Sequence, residues 1–154
     1  MLKVEEIGLS LEIEDMLLNS LLVEGKKHYP NEFGGFLIGN YSNNNKHLKL
    51  TDSILPTKYK SSRRNFERTT EGIEEQLKKM YFEKPSKFYV GEWHTHPNNN
   101  STIPSSTDIS AMYTILNIPD SCIKNPILLI IGYTKSQIDF GFYVYFNNKL
   151  YRYE

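Results

Sequence analysis

GEWHTHPNNNSTIPSSTD, residues 91–108, carries more information than any other stretch of this chain. It opens as the end of a predicted strand, Lys87–Thr95, and closes as the start of a predicted helix near Ser106. His94 and His96 stand two apart on that strand. Alternate side chains of an extended chain leave the same face, so both imidazoles are expected to converge on one ion. Zinc suits nitrogen and oxygen donors, and a catalytic site holds it with three protein ligands and one position open to water. Asp108 becomes the third ligand provided the helix sets its first turn beside the strand end. The asparagines, serines and Pro104 in between suit a loop that folds back.

A fourth element lies far upstream. Glu32 precedes Phe33-Gly34-Gly35 at the start of another apolar run. Metal-assisted hydrolysis needs a carboxylate beside the reacting water but off the metal, to take a proton and pass it to the leaving amine. The glycines let backbone pass close to such a site with no Cβ in the way. Ser105, three residues before Asp108, is placed to donate a hydrogen bond to a developing oxyanion. Each piece has a plainer alternative. Ser105-x-x-Asp108 is also a helix capping box, two histidines at that spacing are also surface residues, and Glu32 alone is also a solvated loop acid. The conjunction favours the metal site.

Outward from this segment the pattern is mixed. Ile7, Leu9, Leu11 and Ile13 alternate as a half-buried strand does. From Glu14 the period becomes helical, with Met16, Leu17, Ser20, Leu21 and Glu24 in line and Leu18 and Leu22 widening the apolar face. His28-Tyr29-Pro30-Asn31 ends that helix. Phe33–Tyr41 and Leu48–Leu55 form a predicted hairpin about the turn Asn43-Asn44-Asn45. Residues 56–68 are polar and basic and are expected to be a solvated loop, or else a clamp for a substrate tail. A short helix is predicted over Thr70–Phe82 and a third over Ser106–Ile118. Ile127–Tyr133, Ile138–Phe146 and Lys149–Tyr153 are strand-like, the last two joined at Asn147-Asn148. The fold class is α/β, a mixed and largely antiparallel curved sheet flanked by helices.

The chain has 154 residues, the size of one domain, and residues 1–154 are read as one. Eighteen basic and 18 acidic residues balance, so neither nucleic acid nor an anionic membrane is an expected partner. The single cysteine, Cys122, cannot close an internal disulfide and is expected to be an apolar filler in a reducing compartment. With acids inside the first apolar stretch there is no signal-peptide pattern, and a cytoplasmic location is expected. Trp93 should face away from the ligands into the core. Glu92 shares the ligand face and is expected to be a paired or surface acid, with a supporting role at the metal as the alternative. His28 and His47, beside turns, are expected to be exposed, and Asn98–Asn100 to be loop formers.

The motifs together resemble the JAMM (MPN+, Mov34/PAD-1-like) zinc metallopeptidase family. Its pattern is an upstream glutamate, then His-Ser/Thr-His-Pro, seven residues, Ser, two residues, Asp. Here Glu32, His94-Thr95-His96-Pro97, residues 98–104, Ser105 and Asp108 match it at every position. The resemblance implies one zinc per chain, Glu32 as acid and base, and cleavage after the C-terminal residue of ubiquitin or a ubiquitin-like protein. Gly91–Pro97, the Pro-Ser ahead of Asp108, and Ser62–Arg68 further resemble the bacterial branch, most of all the deconjugating peptidases of type II CBASS anti-phage operons. That branch implies a cGAS-like nucleotidyltransferase tail as substrate and an E1–E2-like conjugating enzyme in the same pathway. Processing of a sulfur-carrier protein and a non-catalytic MPN scaffold are the alternatives.

Overall fold

The computed structural model describes residues 1–97, 101–116, 123, 125–134 and 136–154. Strands β1 (Leu2–Val4) and β2 (Leu9–Ile13) lead into helix α1 (Asp15–Lys27). Strands β3 (Gly34–Ser42) and β4 (His47–Ile54) form a hairpin, followed by β5 (Tyr59–Ser61), β6 (Phe66–Arg68) and α2 (Glu74–Tyr81). Then come β7 (Phe88–Pro97), α3 (Ser106–Leu116), β8 (Ile127–Tyr133), β9 (Ile138–Phe146) and β10 (Lys149–Arg152). Eight strands make one sheet in the order β1-β2-β4-β3-β7-β8-β9-β10, parallel only where β2 meets β4 and β7 meets β8. The sheet curls, and Lys3 and Glu154 exchange two backbone hydrogen bonds of 2.9 Å across its two edges.

Helices cover both faces. Leu21 of α1 packs with Leu11, Leu37, Leu50, Val90, Trp93 and Leu129. On the other face Met112 of α3 meets Leu128, Ile130 and Tyr143. Beside it Phe36, Ile38, Ile54 and Ile73 pack with Leu77 and Met80 of α2. Covered on both sides, β8 is buried at every residue, which is why it reads as an unbroken apolar run and does not alternate. Asn43, Asn44 and Asn45 all take positive φ, as do Asn147 and Asn148, the conformation asparagine tolerates best among residues with a Cβ.

Several expectations need correction. Ile7 belongs to a 3-10 turn, Glu5–Ile7, which Gly8 ends at φ 67°, so the strand starts at Leu9. Met16 is 84 % exposed, because α1 turns Leu21 and Gly25 to the sheet and Met16 to solvent. His28 is half-buried, stacked on Phe33 at 3.5 Å between ring centroids. His47 is also half-buried, its Nδ1 2.8 Å from Ser10 Oγ and its Nε2 3.3 Å from Glu12. Residues 59–68 are not a plain loop. They form the two-stranded β5–β6 hairpin, whose Tyr59 and Phe66 rings close on Phe33. Composition hid this, because the strands are three residues each and the basic side chains dominate. Helix α2 begins at Glu74, four residues later than expected. The readings of Cys122 and Asn98–Asn100 lie outside the described residues. Among the described residues no helix is long and apolar enough to cross a membrane.

Candidate metal centre

Strand β7 divides its side chains between two environments. Trp93 and Thr95 point into the core with α1, each about 1 % exposed. Glu92, His94 and His96 take the opposite face, half-buried. His94 and His96 meet Asp108 from the first turn of α3, and one ligand atom from each lies within 4.8 Å of the others. His94 Nε2 is 2.9 Å from Asp108 Oδ1, and His96 Nε2 is 3.5 Å from Oδ2. Ligand bonds of about 2.0–2.2 Å to one zinc set donors roughly this far apart.

The donor chemistry fits a cation. His96 Nδ1 lies 3.0 Å from the Ser101 carbonyl, which fixes the tautomer: Nδ1 carries the proton and Nε2 presents its lone pair. His94 Nε2 is buried and has no hydrogen-bond partner, although it stands 2.9 Å from Asp108 Oδ1. An orphaned imidazole nitrogen facing a carboxylate is what a metal-binding cluster offers.

Asp108 is held from behind. Its Oδ2 accepts the Ser105 N–H at 2.7 Å, and its own N–H donates to Ser105 Oγ at 3.1 Å. This is a reciprocal capping box. The plain reading of Ser105-x-x-Asp108 therefore holds, and the cap fixes the carboxylate that faces the two histidines. Ser105 Oγ accepts through a lone pair, so its hydroxyl proton remains available to a substrate oxygen.

The charges are coupled. Burial opposes ionisation of Asp108, but contact with both imidazoles and the Ser105 N–H outweighs it and holds the carboxyl far below its usual range. Burial also disfavours the His96 cation, yet Asp108, the Ser101 carbonyl and Glu32 leave its pKa raised above 6.5. Glu32 is shifted up, chiefly by burial, against the attraction of the two histidines. A carboxyl raised in this way holds and releases a proton closer to neutrality than a free glutamate.

Glu32 reaches the centre through backbone. Gly34 lies opposite His94, and a Cβ there would fall 2.2 Å from the Trp93 carbonyl oxygen, so only glycine lets the two strands close up. One residue earlier, the Phe33 carbonyl accepts the Thr95 N–H at 2.8 Å. Glu32 N–H donates to the Ser62 carbonyl at 2.7 Å, and the Ser61 hydroxyl donates to the Glu32 carbonyl. Sequence reasoning had Thr95 and Ser62 only as positions of the motifs, with no bond assigned to them, and missed Ser61; a hydroxyl residue on an otherwise apolar face of β7 was the physical signal for Thr95. Glu92 is paired, accepting from Arg68 Nε at 2.5 Å, with the guanidinium 4.9 Å over the Phe36 ring. This pair ties β6 to the ligand strand and does not reach the metal ligands.

Comparison with known proteins agrees with this geometry. Residues 15–142 match the family of prokaryotic homologues of the JAB domain. A CD-NTase/cGAS isopeptidase of Enterobacter hormaechei subsp. hoffmannii is 30 % identical over 124 residues, 80 % of this chain and 67 % of that protein. The probable metalloprotease y4qB of Sinorhizobium fredii is 25 % identical over 122 residues, 77 % of this chain and 73 % of its own length. The solution structure of protein DSY2949 from Desulfitobacterium hafniense superposes with a TM-score of 0.61 at 16 % identity, covering 92 % of this chain and 88 % of that one, which speaks to fold alone.

Proposed function

This chain belongs to the family of prokaryotic JAB-domain homologues, and from that premise we propose that it is a zinc-dependent isopeptidase that releases a protein tail from an amine. The family and its named relatives support peptidase or isopeptidase chemistry. The meeting of His94, His96 and Asp108, with Glu32 in their field, is the observation that carries the finer reading.

In this proposal His94 Nε2, His96 Nε2 and the Asp108 carboxylate hold the ion. Zinc there supplies Lewis acidity, which lowers the pKa of water and polarises a carbonyl. Glu32 takes the proton of the attacking water and delivers it to the leaving nitrogen, a double duty suited to its raised pKa. The Ser105 hydroxyl donates to the carbonyl oxygen as charge grows on it. The Ser101 carbonyl keeps His96 in the tautomer that offers Nε2.

For substrate we propose the C-terminal tail of a cGAS-like nucleotidyltransferase, in the cytoplasm and in a pathway with an E1–E2-like conjugating enzyme. The relative named CD-NTase/cGAS isopeptidase supports this choice. The test is a reporter fused after such a tail, with ubiquitin and sulfur-carrier tails as parallel arms, read by intact mass. The protein is expected to bind about one zinc per chain and to cut after the last tail residue. Glu32→Ala should keep the metal and lose the cut. Metal retained with no cleavage of any tail sinks the proposal, and cleavage of the sulfur-carrier tail alone moves the protein to metabolism.

A further inference from the structure

We propose that Thr95 is a positioning residue whose hydroxyl, through a bond to the Phe33 backbone, sets where Glu32 stands over the metal ligands. The inference rests on Glu32 acting as acid and base. Thr95 sits between the two ligand histidines but on the opposite, buried face of β7. Its N–H donates to the Phe33 carbonyl at 2.8 Å, and its Oγ1 accepts the Phe33 N–H at 3.0 Å. A regular antiparallel pair returns that second bond to a backbone carbonyl. Here a side chain takes the carbonyl's place, so a residue without a hydroxyl leaves the buried Phe33 N–H with no partner.

The rotamer is fixed as well. The Thr95 methyl lies against Gly25 of α1, where a Cβ would approach its Cγ2 to 2.7 Å and Tyr133 Oη to 2.6 Å. With the methyl seated in that gap, the hydroxyl faces Phe33. On its other side Glu32 is tied to the β5–β6 hairpin, through its N–H to the Ser62 carbonyl and through its carbonyl to the Ser61 hydroxyl. The backbone on both sides of the Glu32 side chain is therefore pinned, on one side by the residue that separates the two ligands. A threonine buried among apolar residues has here a task that valine, of the same shape, cannot perform.

The experiment compares Thr95→Val and Thr95→Ser in the zinc-loaded protein. Thr95→Val should lower kcat about tenfold or more with KM little changed, since a misplaced acid–base group costs up to about a hundredfold. Thr95→Ser, which keeps the oxygen, should restore most of it. Zinc affinity, measured against a chelator, should not move in either variant, and in a Glu32→Gln background Thr95→Val should lower the residual rate no further. By hydrogen exchange the Phe33 amide should be protected in the wild type and in Thr95→Ser, and exposed in Thr95→Val. Thr95→Ala, which needs no extra room, stands in if the valine variant does not fold. Rapid Phe33 exchange in the wild type, a normal kcat in Thr95→Val, a parallel loss of zinc affinity, or an added loss over Glu32→Gln each overturns the inference. The exchange readout needs no cleavage, so it stands apart from a failure of the isopeptidase reading.

Discussion

The two faces of β7 are built from alternate residues of one segment, yet they obey different rules. Toward α1 the strand gives Trp93 to a close-packed core, where transfer from water and shape complementarity set the worth of each atom. Toward α3 it gives His94 and His96, polar and half-buried, and the buried Nε2 of His94, with no hydrogen-bond partner, costs stability unless a cation meets it. The contrast teaches that the packed face holds the polar one in place: Trp93 and Thr95, almost fully buried, stand between and beside the two histidines. Thr95 crosses the division, a polar side chain serving the site from the core side.

Substitutions on the two faces should therefore separate metal binding from stability. The largest effect is expected for Asp108→Ala. Zinc affinity should fall more than about a hundredfold, since even outer-shell changes around a metal cost 10–100-fold. In the metal-free protein, folding stability should drop by at least about 1 kcal/mol, the worth of the lost cap, with the lost contacts to the histidines adding to it. Chelator competition and urea denaturation measure the two. Trp93→Ala should do the reverse, costing about 3–5 kcal/mol of stability through the cavity it leaves, while the folded fraction keeps its zinc site. Equal losses of metal in both variants would show that the faces are not separable.

A pH series sharpens the point. Zinc needs the neutral imidazole of His96, whose pKa is raised by Asp108 against the effect of burial. Affinity should begin to fall at a pH above 6.5 and drop about tenfold per unit below that. Asp108, held well below its usual range, stays ionised throughout and adds no slope. Without metal the sign reverses for stability. The charged His96 contributes below its unfolded pKa, and the contribution is lost as pH rises through the raised folded value. Competition titrations and denaturation across about pH 5.5–8 report both. The smallest effect is expected at Met16, 84 % exposed on the outer side of α1. Met16→Ala should change stability by less than about 0.5 kcal/mol.

Much of this was legible from residue order. The strand alternation, the asparagine turns and the apolar run of β8 follow from local rules, and the sheet and helices stand close to where those rules put them. His94 and His96 share a face because period two requires it, and Gly34 is glycine because a backbone oxygen occupies the place of its Cβ. The β5–β6 hairpin was hidden, since strands of three residues carry too little periodicity to outweigh their charges. Met16 was misplaced on α1 because apolar spacing gives a stripe but not which edge of it meets the sheet.

By itself the sequence determined the chemistry on offer: two imidazoles at period two, a capped carboxylate downstream, an acid ahead of paired glycines. Those are properties of residue type and local geometry, and the chain states them directly. Only the tertiary structure decided that Asp108 faces the histidines, that Thr95 grips Phe33, and that a basic hairpin anchors Glu32. Such contacts join residues a dozen or more positions apart, and they depend on how helices and strands settle against one another, which no local pattern encodes.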